Sequence, residues 1–372
     1  MARSLTVVQL LPALDAGGVE RSTLEIAAAL VAAGHRAIVV SAGGRLLPAL
    51  RACGAEHVAL AIGRKSPLSL RHARTLRALF RETNADIVHA RSRLPAWIAR
   101  AALHGLRQQP HFVTTVHGLN SPGRYSGVMA GGERVICVSA AAREHVLRHW
   151  PRTDPARLVV IPRGIDPGVF SGERDSDPAW RAALHARHPQ LDGGRLLLLP
   201  ARGTRLKGHA QALALVRTLR DRGVDARLLL AGVVQEGRED YLRELRERAT
   251  TSGLRDVVAF SEPLDRMREI YAAADLVLQL SQRPESFGRT VLEALACGRP
   301  VLGWDHGGVG ELLRALYPQG AVAAGDARAL ASRAQELLLA PRPSIALPDR
   351  YTLARMQADT LALYADLASR PA

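Results

Sequence analysis

Two glutamates eight positions apart, Glu285 and Glu293, stand in the run Arg283-Pro284-Glu285-Ser286-Phe287-Gly288-Arg289-Thr290-Val291-Leu292-Glu293. An apolar stretch ends near Leu280 ahead of them, and a helix pattern begins around Gly288 to Thr290. Backbone N–H groups at a helix start lack intrahelical acceptors and can hold phosphate oxygens. Eight residues of helical rise put the carboxylates ~12 Å apart, beyond the ~5 Å that separates the carboxylate pair of a retaining hydrolase. The spacing suits two hydroxyl-rich groups with a diphosphate between them, which is the layout of a nucleotide sugar.

Upstream, Pro200-Ala201-Arg202-Gly203-Thr204-Arg205-Leu206-Lys207-Gly208-His209 places Arg202 and Lys207 five residues apart beside a glycine. Arg binds a diphosphate as a fork and Lys as a point charge. Lys65 and Lys207 are the only lysines among 50 basic residues, so a lysine here stands out. Near the N-terminus, Gly17-Gly18 follows an apolar run and precedes a helix, so a ligand can approach the backbone. The pattern is not G-x-G-x-x-G, which argues against a nicotinamide fingerprint. Asp305-His306-Gly307-Gly308 also follows a strand and reads either as a ligand contact or as a turn into a capped helix.

These loops need strands to carry them, and the sequence supplies two sets. Apolar runs at 6–10, 37–41, 86–89, 112–116, 135–138 and 158–161 alternate with helical stretches at 22–33, 68–81, 95–106 and 140–148. A Pro-, Gly- and Asp-rich interval at 166–194 reads as a linker. Runs at 195–199, 226–231, 257–261, 276–280, 300–303 and 321–323 then alternate with helices near 209–220, 241–250, 267–273, 290–297 and 327–339. Continuous apolar strands separated by helices specify parallel sheets covered on both faces. The expectation is an α/β protein of two doubly wound domains facing across a cleft. The boundaries are 1–165, a linker over 166–194, 195–349, and a terminal segment 350–372 whose helix has the length to pack back on the first domain.

The 372 residues are 47% hydrophobic and 23% charged, which excludes wholesale disorder. No run reaches the ~20 apolar residues of a spanning helix, and the first residues lead straight into a strand. Cys53, Cys137 and Cys297 form no CxxC pair, so neither a disulfide framework nor a zinc site is in view. Of the net charge of +15, residues 1–165 hold +13, with 22 basic against 9 acidic residues. Such asymmetry points to an anionic partner.

The sequence resembles the family 4 retaining glycosyltransferases of GT-B architecture, which have two Rossmann-like domains, over most of its length. Glu285 and Glu293 in ESFGRTVLEALACGRPV match the family's E-x7-E element, and Arg202 and Lys207 its donor loop. Gly17-Gly18 matches the N-terminal glycine pair and His117-Gly118 the His-Gly after the fourth strand. Pro162-Arg163-Gly164-Ile165-Asp166 departs from the usual pattern, with Arg163 where Asn is common. LPALDAGGVERSTLE, HARSRLPAW, PRGID and PESFGRTVLEALA are similar to bacterial lipopolysaccharide core glycosyltransferases.

The resemblance implies that Arg202 and Lys207 bind the donor diphosphate and that Glu293 accepts from the ribose hydroxyls. It implies that Glu285 orients the transferred sugar, with amides of Phe287, Gly288, Arg289, Thr290 and Val291 completing the contacts. His117 would touch the sugar at the reacting centre. It further implies front-face retention without an enzymic nucleophile, no cofactor beyond the nucleotide-sugar co-substrate, and no metal. The base is expected near residues 261–264, with uridine favoured.

Arg91 and Arg93 are expected to hold an anionic acceptor, either lipopolysaccharide core or a related glycolipid. The helix at 68–81 carries Arg71, Arg74, Arg77 and Arg81 near one side, with Leu68, Leu76, Leu79 and Phe80 as apolar surface. It is read as a contact with an anionic membrane surface, which places the chain in the cytoplasm, peripheral on the inner membrane. Two other readings are a GT-B nucleotide-sugar 2-epimerase and a nucleic-acid-binding α/β protein. The second is disfavoured by only 15 aromatic residues and no nucleic-acid motif.

Overall fold

The computed structural model describes residues 3–15, 17–64, 66, 69, 71–172 and 175–370, and these divide into two units, 1–164 with 353–372 and 165–352. In the first unit the apolar runs become β1 (Thr6–Leu10), β2 (Arg36–Ser41), β3 (Glu56–Ala59), β4 (Ile87–Ala90), β5 (His111–Val116), β6 (Arg134–Cys137) and β7 (Leu158–Val160). Between them lie α1 (Gly18–Ala32), α2 (Leu47–Ala52), α3 (His72–Glu82), α4 (Arg93–Leu103), α5 (Arg124–Gly127) and α6 (Ala140–His149). All strand pairs are parallel, in the order β3-β2-β1-β4-β5-β6-β7. Alternate residues feed opposite faces, as the pleat requires. Val7, Val39, Ile87 and Val113 join one core, whereas Val8, Ile38, Val40 and Val88 join the other.

The second unit holds α7 (Pro178–Arg187), β8 (Arg195–Pro200), α8 (His209–Asp221), β9 (Ala226–Ala231), α9 (Glu239–Thr251), β10 (Val258–Ser261) and α10 (Met267–Ala273). It continues through β11 (Leu276–Gln279), α11 (Arg289–Ala296), β12 (Val301–Trp304), α12 (Gly307–Leu316), β13 (Ala321–Val322) and α13 (Ala327–Leu339). Its parallel sheet has the order β10-β9-β8-β11-β12-β13. In each unit the order reverses at one point, between β1 and β4 and between β8 and β11. The crevice at the carboxyl ends of two such strands is where open sheets bind ligands.

The chain then returns to the first unit as α14 (Leu353–Ala368). Met356, Leu363, Tyr364 and Leu367 recur at helical spacing and enter the core beneath α1. Each such apolar side chain contributes about 1.5–3 kcal/mol on burial. The Tyr364 hydroxyl meets Nδ1 of the buried His89 at 2.6 Å, and the other ring nitrogen meets Thr115 Oγ1 at 2.6 Å.

Three expectations differ from the structure. The interval at 166–194 is not simply a linker, because Asp177 accepts from the Ala179 amide at 2.9 Å and starts α7 with Pro178 in its first turn. Strand β3 was invisible as an apolar run because its segment, EHVA, carries two polar residues on a sheet edge. His117 therefore follows the fifth strand rather than the fourth. The helix read at 68–81 starts at His72, and Leu68 lies outside the described residues. Leu76 and Phe80 are buried in the core and Leu79 packs against it, so this apolar surface is not free to enter a membrane. Arg77 donates to the Ala101 and Ala102 carbonyls at 3.1 and 3.0 Å, neutralising the end of α4. Arg71, Arg74 and Arg81 remain exposed. No helix among the described residues is long and apolar enough to cross a membrane.

Tyr364→Phe removes the hydroxyl that meets His89 and leaves a buried ring nitrogen unsatisfied. The expected cost is about 1–3 kcal/mol, read as a lower urea midpoint. An unchanged midpoint contradicts this role.

Candidate functional site

In the second unit two loops meet where β8 and β11 end. Gly208 adopts φ 80°, and a Cβ there would stand 2.1 Å from the Leu280 carbonyl oxygen. Only glycine tolerates both that backbone and that approach. The Gln282 amide donates to the Leu206 carbonyl at 2.8 Å, so a hydrogen bond joins the loops beside the contact. Lys207 Nζ is thereby set 2.5 Å from Glu285 Oε1, each side chain about one quarter exposed, at 26% and 25%. The Ser281 hydroxyl also donates to Glu285 Oε1. Arg202 is exposed and makes no side-chain hydrogen bond or ion pair with another described residue. Helix α8 begins at this loop with no side-chain cap, which leaves backbone donors directed at the same space.

Helix α11 starts beside it. Gly288 is its N-cap at φ 127°, again without a side-chain cap. The Val291 amide donates to the Gly288 carbonyl at 2.9 Å, so the amides left for a ligand lie earlier in the turn. Phe287 is buried with its ring 6.3 Å from that of Tyr351, and Thr290 Oγ1 accepts from Gln279 at 3.2 Å. Glu293 is 4% exposed, and both of its oxygens have partners. Arg289 Nε donates to Oε1 at 2.9 Å and Tyr271 Oη to Oε2 at 3.0 Å. Burial and the adjoining carboxylate push the Tyr271 phenol well above its ordinary value, so it remains a donor.

The turn at 305–308 supports this loop from behind. His306 Nε2 bonds the Ser281 carbonyl at 2.9 Å and the Gly308 amide donates to the Glu285 carbonyl at 2.8 Å. A Cβ on Gly307 would lie 2.5 Å from the Glu285 oxygen, and one on Gly308 2.5 Å from Phe287 Cα. Glycine pairs in sequence signal such close approaches. The particular roles of Ser281, His306 and Tyr271 had no sequence signal.

In the first unit the corresponding crevice lies where β1 and β4 end. Gly17 is the N-cap of α1, with no side-chain cap, and space is open around Gly18, whereas Ala16 lies outside the described residues. Arg91 and Arg93 are not brought together. Arg91 is buried, with Nε 2.8 Å from Gln9 Oε1 and a terminal nitrogen 3.3 Å from Ser22 Oγ. Arg93 lies over the exposed Tyr125 ring, 5.4 Å from its centroid. Half-buried His117 accepts at Nδ1 from Arg163, whose other terminal nitrogen donates to Ser22 Oγ. Burial, then the charges of Arg163 and Arg91, hold His117 well below the ordinary imidazole value, so its ring is neutral at pH 7. The contacts of Arg163 had one sequence signal, its departure from Asn.

Residues 261–264 line a cavity of about 620 Å³ with Trp180, Val234, Arg246 and Phe260. The chain has a single Asp-x-Asp triplet, Asp175-Ser176-Asp177. Its carboxylates are engaged elsewhere, Asp177 with the start of α7 and Arg266, and Asp175 with Arg342 at 3.3 Å.

Residues 16–169 match the family model described as Glycosyltransferase Family 4, and residues 181–351 the model Glycosyl transferases group 1. The D-inositol 3-phosphate glycosyltransferase of Xylanimonas cellulosilytica is 33% identical over 184 residues, covering 49% of this chain and 43% of that protein. That of Frankia alni is 32% identical over 250 residues, covering 60% and 58%. The chain thus spans about half the length of the curated relatives it matches. Among solved structures, a glycosyltransferase from Rickettsia africae superposes with TM-score 0.83 at 24% identity over 98% of both chains. Anabaena HepE in complex with UDP-glucose gives 0.75 at 19% over 96% of this chain and 100% of that one. WaaG, a glycosyltransferase involved in lipopolysaccharide biosynthesis, gives 0.69 at 17% over 97% and 94%. At these identities the likeness establishes the fold.

Gly208→Ala forces a methyl group against the Leu280 carbonyl in a left-handed backbone. A loss of at least about 2 kcal/mol is expected on urea unfolding. Wild-type stability contradicts the packing described.

Proposed function

The chain belongs to the family 4 glycosyltransferases, and we propose that it transfers a sugar from a nucleotide-sugar donor, with retention, to an anionic glycolipid acceptor of the lipopolysaccharide-core type. The observation that carries this reading is Lys207 beside Glu285 at a sheet switch point, flanked by two uncapped helix starts and by exposed Arg202. A diphosphate arriving there meets Arg202, Lys207 and backbone donors. A diphosphate brings two charges where Glu285 brings one, so it competes with the carboxylate for the lysine. Glu285, released, is free to accept from hydroxyls of the transferred sugar, and Glu293 from the ribose. The cations stabilise the charge that develops on the leaving nucleotide. We assign the base to the cavity at 261–264, and the UDP-glucose complex of HepE supports uridine.

For the acceptor, WaaG supports a lipopolysaccharide core, and the charge of residues 1–165 suits its anionic character. The names of the curated relatives favour a second reading, in which the acceptor is a phosphorylated polyol such as D-inositol 3-phosphate. Assaying both acceptors with one UDP-sugar decides between them. The epimerase and nucleic-acid readings are not favoured by the family models. We place the protein peripherally at the inner membrane, with Arg71, Arg74 and Arg81 as exposed charge toward anionic lipid, and without insertion of α3.

Lys207→Ala and Arg202→Ala are each expected to weaken donor binding and to lower kcat/KM on the order of 10². Wild-type turnover by folded Lys207→Ala protein removes the assignment. Cations already supply the phosphate loop, so turnover is expected to persist in EDTA. Loss of activity in EDTA that Mg²⁺ restores, with a soluble acceptor, refutes metal independence.

A further inference from the structure

Four side chains at the carboxyl ends of β1, β4, β5 and β7 form one chain of hydrogen bonds through the start of α1. Gln9 Oε1 accepts from Arg91, and Gln9 Nε2 donates to the Thr23 carbonyl at 3.2 Å, which fixes the amide with its oxygen toward the guanidinium. Arg91 reaches Ser22 Oγ, the same oxygen accepts from Arg163, and Arg163 ends on His117 Nδ1. Arg163 is 9% exposed, so its guanidinium is held by these partners rather than by water.

We propose that Arg163 is a positioning residue for His117, holding the imidazole in one orientation and in the tautomer protonated at Nε2. A guanidinium nitrogen can only donate. The ring nitrogen nearest to it, Nδ1, must therefore carry a lone pair, and in a neutral imidazole the single proton then resides on Nε2. His117 Nε2 lies farther from the same guanidinium nitrogen, at 3.5 Å. The charged and titratable groups facing the ring are Arg163, Arg91 and His89, all of which disfavour a second ring proton. His117 so held carries a proton, not a lone pair, at Nε2. An Asn at position 163 has a shorter side chain and no charge, so the arginine changes what the histidine can do. The consequence for transfer rests on the proposed function; the positioning itself does not.

The test is long-range ¹H–¹⁵N spectroscopy of histidine-labelled full-length protein, with His117 assigned by His117→Gln. Wild type is expected to show His117 as a single Nε2–H tautomer from pH 8 down to about 5.5, below the ordinary histidine value. Arg163→Met keeps buried bulk but removes donors and charge. It is expected to give mixed tautomers and a titration shifted toward the ordinary value, and Arg163→Lys to restore the single tautomer in part. A folded Arg163→Met protein with the wild-type tautomer and no titration overturns the proposal, as does a wild type already protonated at Nδ1. If Arg163→Met does not fold, an Arg163→Lys protein with no tautomer preference overturns it equally. In transfer assays Arg163→Met is expected to lower kcat by about tenfold to a hundredfold, with donor KM within about twofold. Wild-type kcat with an altered tautomer counts against His117 in the reaction, not against its positioning.

Discussion

The contact between Gly208 and the Leu280 carbonyl is the constraint on which the candidate site of the second unit depends. No side chain fits between the two backbones, so the loop after β8 and the loop after β11 cannot drift apart without breaking the contact. Everything chemical in the second unit follows from that closeness. Lys207 reaches Glu285, and the start of α8 stands beside the start of α11. The glycines at 307 and 308 repeat the device on the far side, letting α12 press against Glu285 and Phe287. The site is a stack of backbones at van der Waals contact, with polar side chains at its rim.

The first unit solves a different problem. Two guanidiniums, Arg91 and Arg163, are buried together and share one serine oxygen. Burial opposes charge on Arg91, while Tyr364 and then Glu25 favour it. Buried charge of one sign is costly unless fully hydrogen-bonded, and here Gln9, Ser22 and His117 supply acceptors. Burial first, and then the same positive charges, hold His89 and His117 neutral. Neutral His89 can then bridge Thr115 and Tyr364, which ties α14 to the sheet. One electrostatic arrangement thus affects both the candidate site and the closure of the fold.

The elements that were legible in the sequence are those whose signal is local. Leucine-rich β8, the helix start at Gly288 and the glycine pair at 17–18 each declare themselves within a few residues. Strand β3 did not, because a sheet edge tolerates Glu56 and His57 where an inner strand does not. Helix α7 was hidden in a segment rich in breakers, although Asp177-Pro178 is a start signal. Of the site, Lys207 and Glu285 were readable as types but not as partners, since 78 residues separate them and only the sheet order brings them together. Arg91 read as a surface ligand because sequence cannot tell which of two arginines, 91 or 93, turns inward. The difference is a matter of strand geometry: Arg91 directly follows β4, whereas Arg93 begins α4.

The positive charge of residues 1–165 acquires a different meaning once its members are placed. A count of +13 treats every arginine as part of an external field. Arg91 and Arg163 are buried, and Arg77 faces the carbonyl end of α4. These charges serve internal acceptors, and their field at the surface is reduced by distance and by the dipoles they offset. What remains outward includes Arg71 just before α3 and Arg74 and Arg81 on it, with Arg93 stacked on Tyr125 beside Arg124. Arg3, Arg36, Arg45, Arg51, Arg107, Arg148, Arg152 and Arg157 are exposed as well, so most of the excess still faces water, while the buried pair spends its charge on the hydrogen-bond chain that orders the ends of the strands.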